Sequence, residues 1–398
     1  MNNITRRTCI ASSLALAASA CTPPKPLPEQ AKRPADSLNA AAETKGLRFG
    51  SCLGTGNGGV KSFEGKFTGS FEDPQVRALT IEQCGILVPE NELKWYALRN
   101  DPKTFDFRRA DLLLDFAAKN NLAMRGHTLL WNRTEWFPKW LPGYDFGPKP
   151  AVEAERMLKD HVATVCGHCG DRVFSWDVVN ETIDHDTGEM RETIFTKYLG
   201  PEAIDVMFHA TRESAPHAQL VYNDYMSWAA DSTKHRAGVL RLLERLKKNN
   251  VPIDALGVQG HIGPGATDAG SSFSAAEQTQ WRAFLDEVTG MGLDLVVTEF
   301  DVGDQTMAAD VAGRDAEVAA LGRDYLDLMV SYPQLRYVMA WGLTDKYSWL
   351  RGEQWWPRKD GLAKRPCPFD VDCRPKPLAA AMADAFRNAP SRPAMKTA

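Results

Sequence analysis

From residue 47 onward, short apolar runs alternate with longer stretches in which apolar residues recur at helical spacing. The runs lie at 47–53, 85–89, 122–125, 173–179, 219–222, 253–258, 293–298 and 336–340. Helical periodicity marks 109–120, 151–165, 202–214, 233–248, 274–290 and 314–331. A strand reads as a near-continuous apolar run when helices cover both faces of a parallel sheet. Eight strand–helix units predict one closed α/β TIM barrel, (β/α)8, over residues 46–390, with any active site at the carboxyl ends of the strands. The first unit is atypical, because 54–69 is glycine-rich and shows no clear helix. Residues 391–398 read as a tail.

The chain ahead of the barrel has a different character. Arg6 and Arg7, the small apolar stretch 10–20 and Ala18-Ser19-Ala20 read as an export signal over residues 1–21. The pair of arginines resembles a twin-arginine leader, and Cys21 stands where a bacterial lipoprotein carries its lipid. Residues 22–45 begin proline-rich and read as a spacer. The expected location is therefore outside the cytoplasm: periplasmic, outer-membrane-anchored or secreted. Membrane contact is expected only through a lipid at Cys21. Six further cysteines, at 52, 84, 166, 169, 367 and 373, suit disulfides in an exported chain. Sequence neighbours suggest Cys166–Cys169 and Cys367–Cys373, leaving Cys52–Cys84. A zinc site of the four clustered cysteines is the alternative.

Composition narrows the function. The net charge of −4 gives no electrostatic footprint for nucleic acid. Eleven Trp supply flat apolar faces of the kind that stack on sugar rings. The segment Gly54-Thr55-Gly56-Asn57-Gly58-Gly59 fits a dinucleotide fingerprint literally, but no helical periodicity follows it. No cofactor and no metal are expected.

The residues just past the apolar runs carry the chemistry. They are Glu90-Asn91-Glu92-Leu93-Lys94-Trp95, Gly126-His127-Thr128-Leu129-Leu130-Trp131, Asn180-Glu181, Tyr222 with Asn223, Gln259-Gly260-His261, Glu299-Phe300-Asp301, and Trp341 with Trp349. A purely structural core would not gather carboxylates, amides, imidazoles and Trp at one end of a barrel, because each buried polar group needs a partner. This set is suited to binding polyols.

Six of these segments stand in an order and spacing that resembles glycoside hydrolase family 10, the endo-1,4-β-xylanases, over about residues 47–386. Trp176-Asp177-Val178-Val179-Asn180-Glu181 resembles the family's acid/base strand, and Val297-Thr298-Glu299-Phe300-Asp301-Val302 its nucleophile strand. The segments at Glu90, Gly126, Gln259 and Trp341-Gly342-Leu343-Thr344-Asp345 resemble its sugar-binding segments. Phe300 stands where Leu, Ile or Tyr is usual.

The resemblance implies retaining hydrolysis of β-1,4-xylosidic bonds, which uses two carboxyls about 5 Å apart. Glu181 would donate the proton and Glu299 would attack the anomeric carbon. His261 would hydrogen-bond the nucleophile, Asp301 would orient His261, and Asn180 would hold the sugar 2-hydroxyl. Glu90, Asn91, Lys94, His127 and Gln259 would bind the sugars on the glycone side, with Trp131, Trp341 and Trp349 as walls and platform. Tyr222 and Asn223 would line the leaving-group side. Trp176 and Trp281 read as core. Two other readings compete: a hydrolase of another β-1,4-glycan such as a cello-oligosaccharide, and a non-catalytic sugar-binding lipoprotein. A monomer is expected.

Overall fold

The computed structural model describes residues 33–56, 69–266, 272–351 and 356–393. The leader, the lipid position Cys21, the first part of the spacer and the end of the tail lie outside the described residues, as does much of the glycine-rich run.

Eight parallel strands close into a barrel. They are β1 Arg48–Leu53, β2 Ile86–Pro89, β3 Ala123–Gly126, β4 Val173–Asn180, β5 Gln219–Asp224, β6 Ala255–Val258, β7 Asp294–Val302 and β8 Leu335–Ala340. Each pairs with the next, and β8 returns to β1 with Tyr337 opposite Arg48 and Ala340 opposite Ser51. Two short extensions, Leu130–Trp131 and His261–Ile262, pair with the ends of β4 and β7. They raise the loops after β3 and β6 into the rim where the polar residues lie.

Six of the helices that pack around the barrel follow the periodicity, and three more join them. They are α1 Leu38–Glu43, α2 Pro74–Gln83, α3 Arg108–Lys119, α4 Pro150–Cys169, α5 Glu202–Ser214, α6 Thr233–Lys248, α7 Ala275–Gly290, α8 Val311–Val330 and α9 Pro377–Asn388. Their apolar stripes pack on the outer faces of the strands, for example Leu113, Leu114 and Ala117 of α3 and Leu242, Leu243 and Leu246 of α6. A smaller cluster, including Ile86, Val88, Phe174, Val221, Val296 and Met339, fills the barrel. That interior also holds an ionic group: Arg125 is bidentate to Asp177, with Nη1 to Oδ2 at 2.6 Å, and its Nε donates to Tyr337 at 3.0 Å.

Four expectations change. The first unit does have a helix, α2, set late in the connection and capped by Asp73, which accepts from the Gln75 N–H. The spacer ends before residue 45: α1 is capped by Ser37, and its Leu38, Ala41 and Ala42 are buried. The tail begins later than 391, because Arg392 is buried and donates to the carbonyls of Val330, Tyr332 and Leu335. Those carbonyls, at the end of α8 and the approach to β8, would otherwise be orphaned acceptors. Finally, all six described cysteines are free thiols. Cys166 and Cys169 lie on one turn of α4, and Cys52 points into the barrel while Cys84 belongs to the outer core. Among the described residues, no group of three or more His, Cys, Asp or Glu is placed to hold a metal ion.

Candidate active site

The carboxyl end of the barrel gathers the two carboxylates. Glu181 directly follows β4, and Glu299 lies within β7. Both are almost fully buried, at 7% and 6% exposure. Glu181 has φ +54°, a left-handed conformation that costs about 1–3 kcal/mol for a non-glycine residue. Its N–H donates to the Asn223 carbonyl at 2.9 Å, fixing the turn that aims the side chain.

A chain of amides joins the two acids. Gln259 Nε2 donates to Glu181 Oε1 at 2.9 Å and to Asn180 Oδ1 at 3.4 Å. Asn223 Nδ2 donates to Asn180 Oδ1 at 2.9 Å and to Glu299 Oε1 at 2.8 Å. Thr298 Oγ1 donates to Asn223 Oδ1 at 2.6 Å and sets which way that amide faces.

Glu299 receives a second clamp. His261 Nε2 lies 3.4 Å from its Oε2, while His261 Nδ1 lies 2.9 Å from Asp301 Oδ1. Asp301 Oδ2 accepts from Trp349 Nε1 at 2.7 Å. The register supports this, because His261 pairs directly with Asp301 across the sheet, and Glu299 and Asp301 share one face of β7. Burial pushes Glu299 upward, but the hydrogen bond with His261 and the nearby His127, His261 and Lys94 outweigh it and hold it at about 2. Burial pulls His261 down, but Asp301 and Glu299 overcome that and raise it to about 10. Glu299 is thus an anion and His261 a cation through the neutral range.

The other side of the cleft is lined from β2 and β3. Burial and the charge of Glu92 push Glu90 up to about 7, with Lys94 opposing. Asn91 Oδ1 accepts from Lys94 Nζ at 3.2 Å and Tyr96 at 2.8 Å. Burial lowers Lys94 against the pull of Glu299, Glu90 and Glu181. Its ammonium sits over the Trp131 ring at 4.6 Å and near Trp341 at 5.9 Å. His127 Nδ1 is 2.8 Å from Asp177 Oδ2, and its ring meets Trp341 edge-on. Trp349 packs against His261.

Four expected contacts are placed differently. Tyr222 is fully buried in the outer core; its hydroxyl donates to Asp224 and accepts from the Thr182 N–H, so it braces the loop after Glu181 and does not line the cleft. Asn223 is equally buried and links Asn180 to Glu299 through its amide. Gln259 is committed to Glu181 and Asn180. Trp131 is stacked on Trp136, centroids 4.6 Å apart, so one of its faces is occupied by protein. Trp176 and Trp281 are fully buried, as read.

The sequence reading missed Arg133, which donates to Glu181 Oε2 at 3.0 Å. It also missed Asp177, which orients His127, and Glu92, which accepts from the Thr55 N–H and hydroxyl and secures the loop after β1. Asp177 sits in the quoted strand motif four residues before Glu181, and two-residue alternation would have put it inside the barrel.

Comparison with known proteins agrees with this geometry. The family model described as Glycosyl hydrolase family 10 matches residues 37–385. Endo-1,4-beta-xylanase B of Thermotoga neapolitana is 32% identical over 270 residues, covering 68% of this chain and 73% of that protein. Beta-1,4-xylanase of Dictyoglomus thermophilum is 32% identical over 299 residues, covering 73% and 78%. Xylanase 10B from Thermotoga petrophila RKU-1, solved in complex with xylobiose, superposes with a TM-score of 0.73 at 28% identity over 88% of this chain and 97% of that one. Native xylanase 10B from Thermotoga maritima gives the same TM-score at 27% identity, over 88% and 98%. On this match, across nearly the whole barrel, the chain belongs to glycosyl hydrolase family 10.

Proposed function

We propose that the protein is a retaining endo-1,4-β-xylanase that cleaves xylan or xylo-oligosaccharides by double displacement, with Glu181 as acid/base and Glu299 as nucleophile. The observation that carries the assignment of roles is the unequal setting of the two acids. Glu299 is held ionised by a protonated imidazole, which is what attack requires. Glu181 Oε1 accepts from neutral amides, and the cation on its Oε2, Arg133, is itself shared with the exposed Glu135.

In the first displacement a Glu299 oxygen bonds the anomeric carbon as the glycosidic bond breaks, and Glu181 gives its proton to the departing oxygen. In the second, Glu181 takes a proton from water, the water oxygen bonds the anomeric carbon, and the ester to Glu299 breaks. Asn180, at the bend of the amide chain, is the group we assign to the sugar 2-hydroxyl, a contact that strengthens in the transition state. Glu90, Asn91, Lys94 and His127 bind the glycone, with Trp341 and Trp349 closing over it. Relatives named as xylanases and a structural neighbour holding xylobiose support xylose-based chains as substrate. The arginine pair and small apolar run of the first 21 residues support export, with Cys21 as the lipid position in the anchored form.

The test is activity of wild type, Glu181→Ala and Glu299→Ala on xylan and on an aryl β-xyloside with an activated leaving group. Glu299→Ala is expected to lose both activities. Glu181→Ala is expected to lose xylan yet still release the activated aryl group in a burst, because a good leaving group needs no acid. A wild type that binds xylo-oligosaccharides and cleaves neither substrate would favour the sugar-binding reading.

A further inference from the structure

Glu181 is held unevenly. Its Oε1 accepts from two neutral amides, Gln259 at 2.9 Å and Asn180 at 3.3 Å. Its Oε2 accepts from a cation, Arg133 Nη1, at 3.0 Å. The rest of that guanidinium is engaged by Glu135, with Nε and Nη2 at 2.7 and 2.6 Å from Oε1. Glu135 lies on the one-turn helix Thr134–Trp136 and its side chain is 53% exposed, against 9% for Glu181. One end of the clamp is therefore fixed in the site and the other rides on the surface. Arg133 also lines a cavity of about 460 Å³, shared with Asp184, Arg191 and Thr193 and open to solvent, so the guanidinium has room to move.

A guanidinium can only donate hydrogen bonds. Its bond to Oε2 is therefore made to the carboxylate, and it competes with the O–H that an acid must present to a leaving oxygen. Oε1 already faces two donors, so Oε2 is the oxygen left to carry that hydrogen. We propose that Arg133 is a positioning residue of the acid/base: it holds Oε2 in the carboxylate form and swings toward Glu135 and the open cavity when Glu181 takes up the proton for the leaving group. This rests on the reading of Glu181 as acid/base. Arg133 thus opposes the first displacement, where Glu181 must be protonated, and favours the second, where Glu181 accepts a proton from water. A carboxylate partner that moves with the arm keeps the cation from being stranded without a counter-charge.

The test uses aryl β-xylobiosides spanning poor to activated phenol leaving groups, with kcat/KM as the readout, because it reports the first displacement. Arg133→Met keeps the aliphatic stem and removes the charge. Its kcat/KM is expected to rise severalfold for poor leaving groups and stay at the wild-type value for activated ones, flattening the leaving-group dependence. Arg133→Lys, which keeps a donor cation, is expected to restore the wild-type slope. Thermal unfolding of each variant separates these effects from loss of fold. A uniform change across the series, no change, or a selective fall for poor leaving groups would each overturn the role of Arg133. Glu181→Ala in the same series checks the underlying assignment separately: its slope must steepen, and if it matches wild type the acid/base reading itself fails.

Discussion

Glu299 and His261 behave as one charged unit whose parts come from two strands. His261 sits between two carboxylates, 2.9 Å from Asp301 and 3.4 Å from Glu299. Its folded value of about 10 lies above the ordinary 6.5, so its contribution to stability is fully present below 6.5 and lost as pH rises through about 10. Glu299, at about 2 against an ordinary 4.5, contributes above 4.5 and loses that contribution as pH falls through about 2. Asp301→Asn removes the main partner of the imidazole. Its thermal midpoint is expected to lie furthest below wild type at and below pH 6.5, with the gap closing as pH rises toward 10, because wild type itself loses the contribution across that window; parallel curves would contradict the account. Glu181, Glu299, His261 and Asp301 were legible in the sequence because each follows an apolar strand run and stands in a distinctive motif. Arg133 was not, because nothing in Asn132-Arg133-Thr134 tells a solvated arginine from one folded back onto a carboxylate 48 residues away. Tyr222 misled for the opposite reason: a strand end shows a side chain's position but not which face a register shift turns it to, and β4 and β5 shift register between Asp177 and Val179.

The strands and helices were more legible than the sites. All eight barrel strands lie where the apolar runs fall, because burial on both faces leaves little room for polar residues. Helices 202–214 and 233–248 match residue for residue, since their stripes are broad and built from large side chains. Of the missed helices, α1 and α2 have weak stripes, whereas α9 carries Leu378, Met382 and Phe386 at helical spacing. The buried face of α2 includes Thr80 and Gln83, and the short α1 buries alanines, which carry little periodic signal. Cysteine pairing was the least legible feature, because spacing along the chain does not say which side of the sheet a thiol faces. Burial pushes Cys166 and Cys84 upward, and Cys169 to about 12, so these thiols are un-ionised and poor nucleophiles. The thermal midpoint is therefore expected to be the same with and without reductant. A fall of several degrees on reduction would show that disulfides stabilise the fold.

At the scale of the whole molecule, the entry of the chain and the cleft lie at opposite ends of the barrel. Arg33 donates to the carbonyls of Asn120 and Asn121, just ahead of β3, and the Arg392 N–H donates to the Lys45 carbonyl. Both contacts belong to the amino ends of the strands, whereas Glu181 and Glu299 stand at the carboxyl ends. The barrel brings β4 and β7 to one rim, and the account turns on what they do together: one acid attacks and the other shuttles the proton. The most direct measurement is to trap the attack. A 2-deoxy-2-fluoro-β-xylobioside with a dinitrophenolate leaving group releases its phenolate and leaves the fluorosugar bound as an ester. Peptide mass mapping is predicted to find one added fluoroxylobiosyl group on the peptide holding Glu299, and none in Glu299→Ala. Labelling of a peptide that lacks Glu299, or phenolate release with the fluorosugar recovered only as the inverted free sugar, would contradict the mechanism.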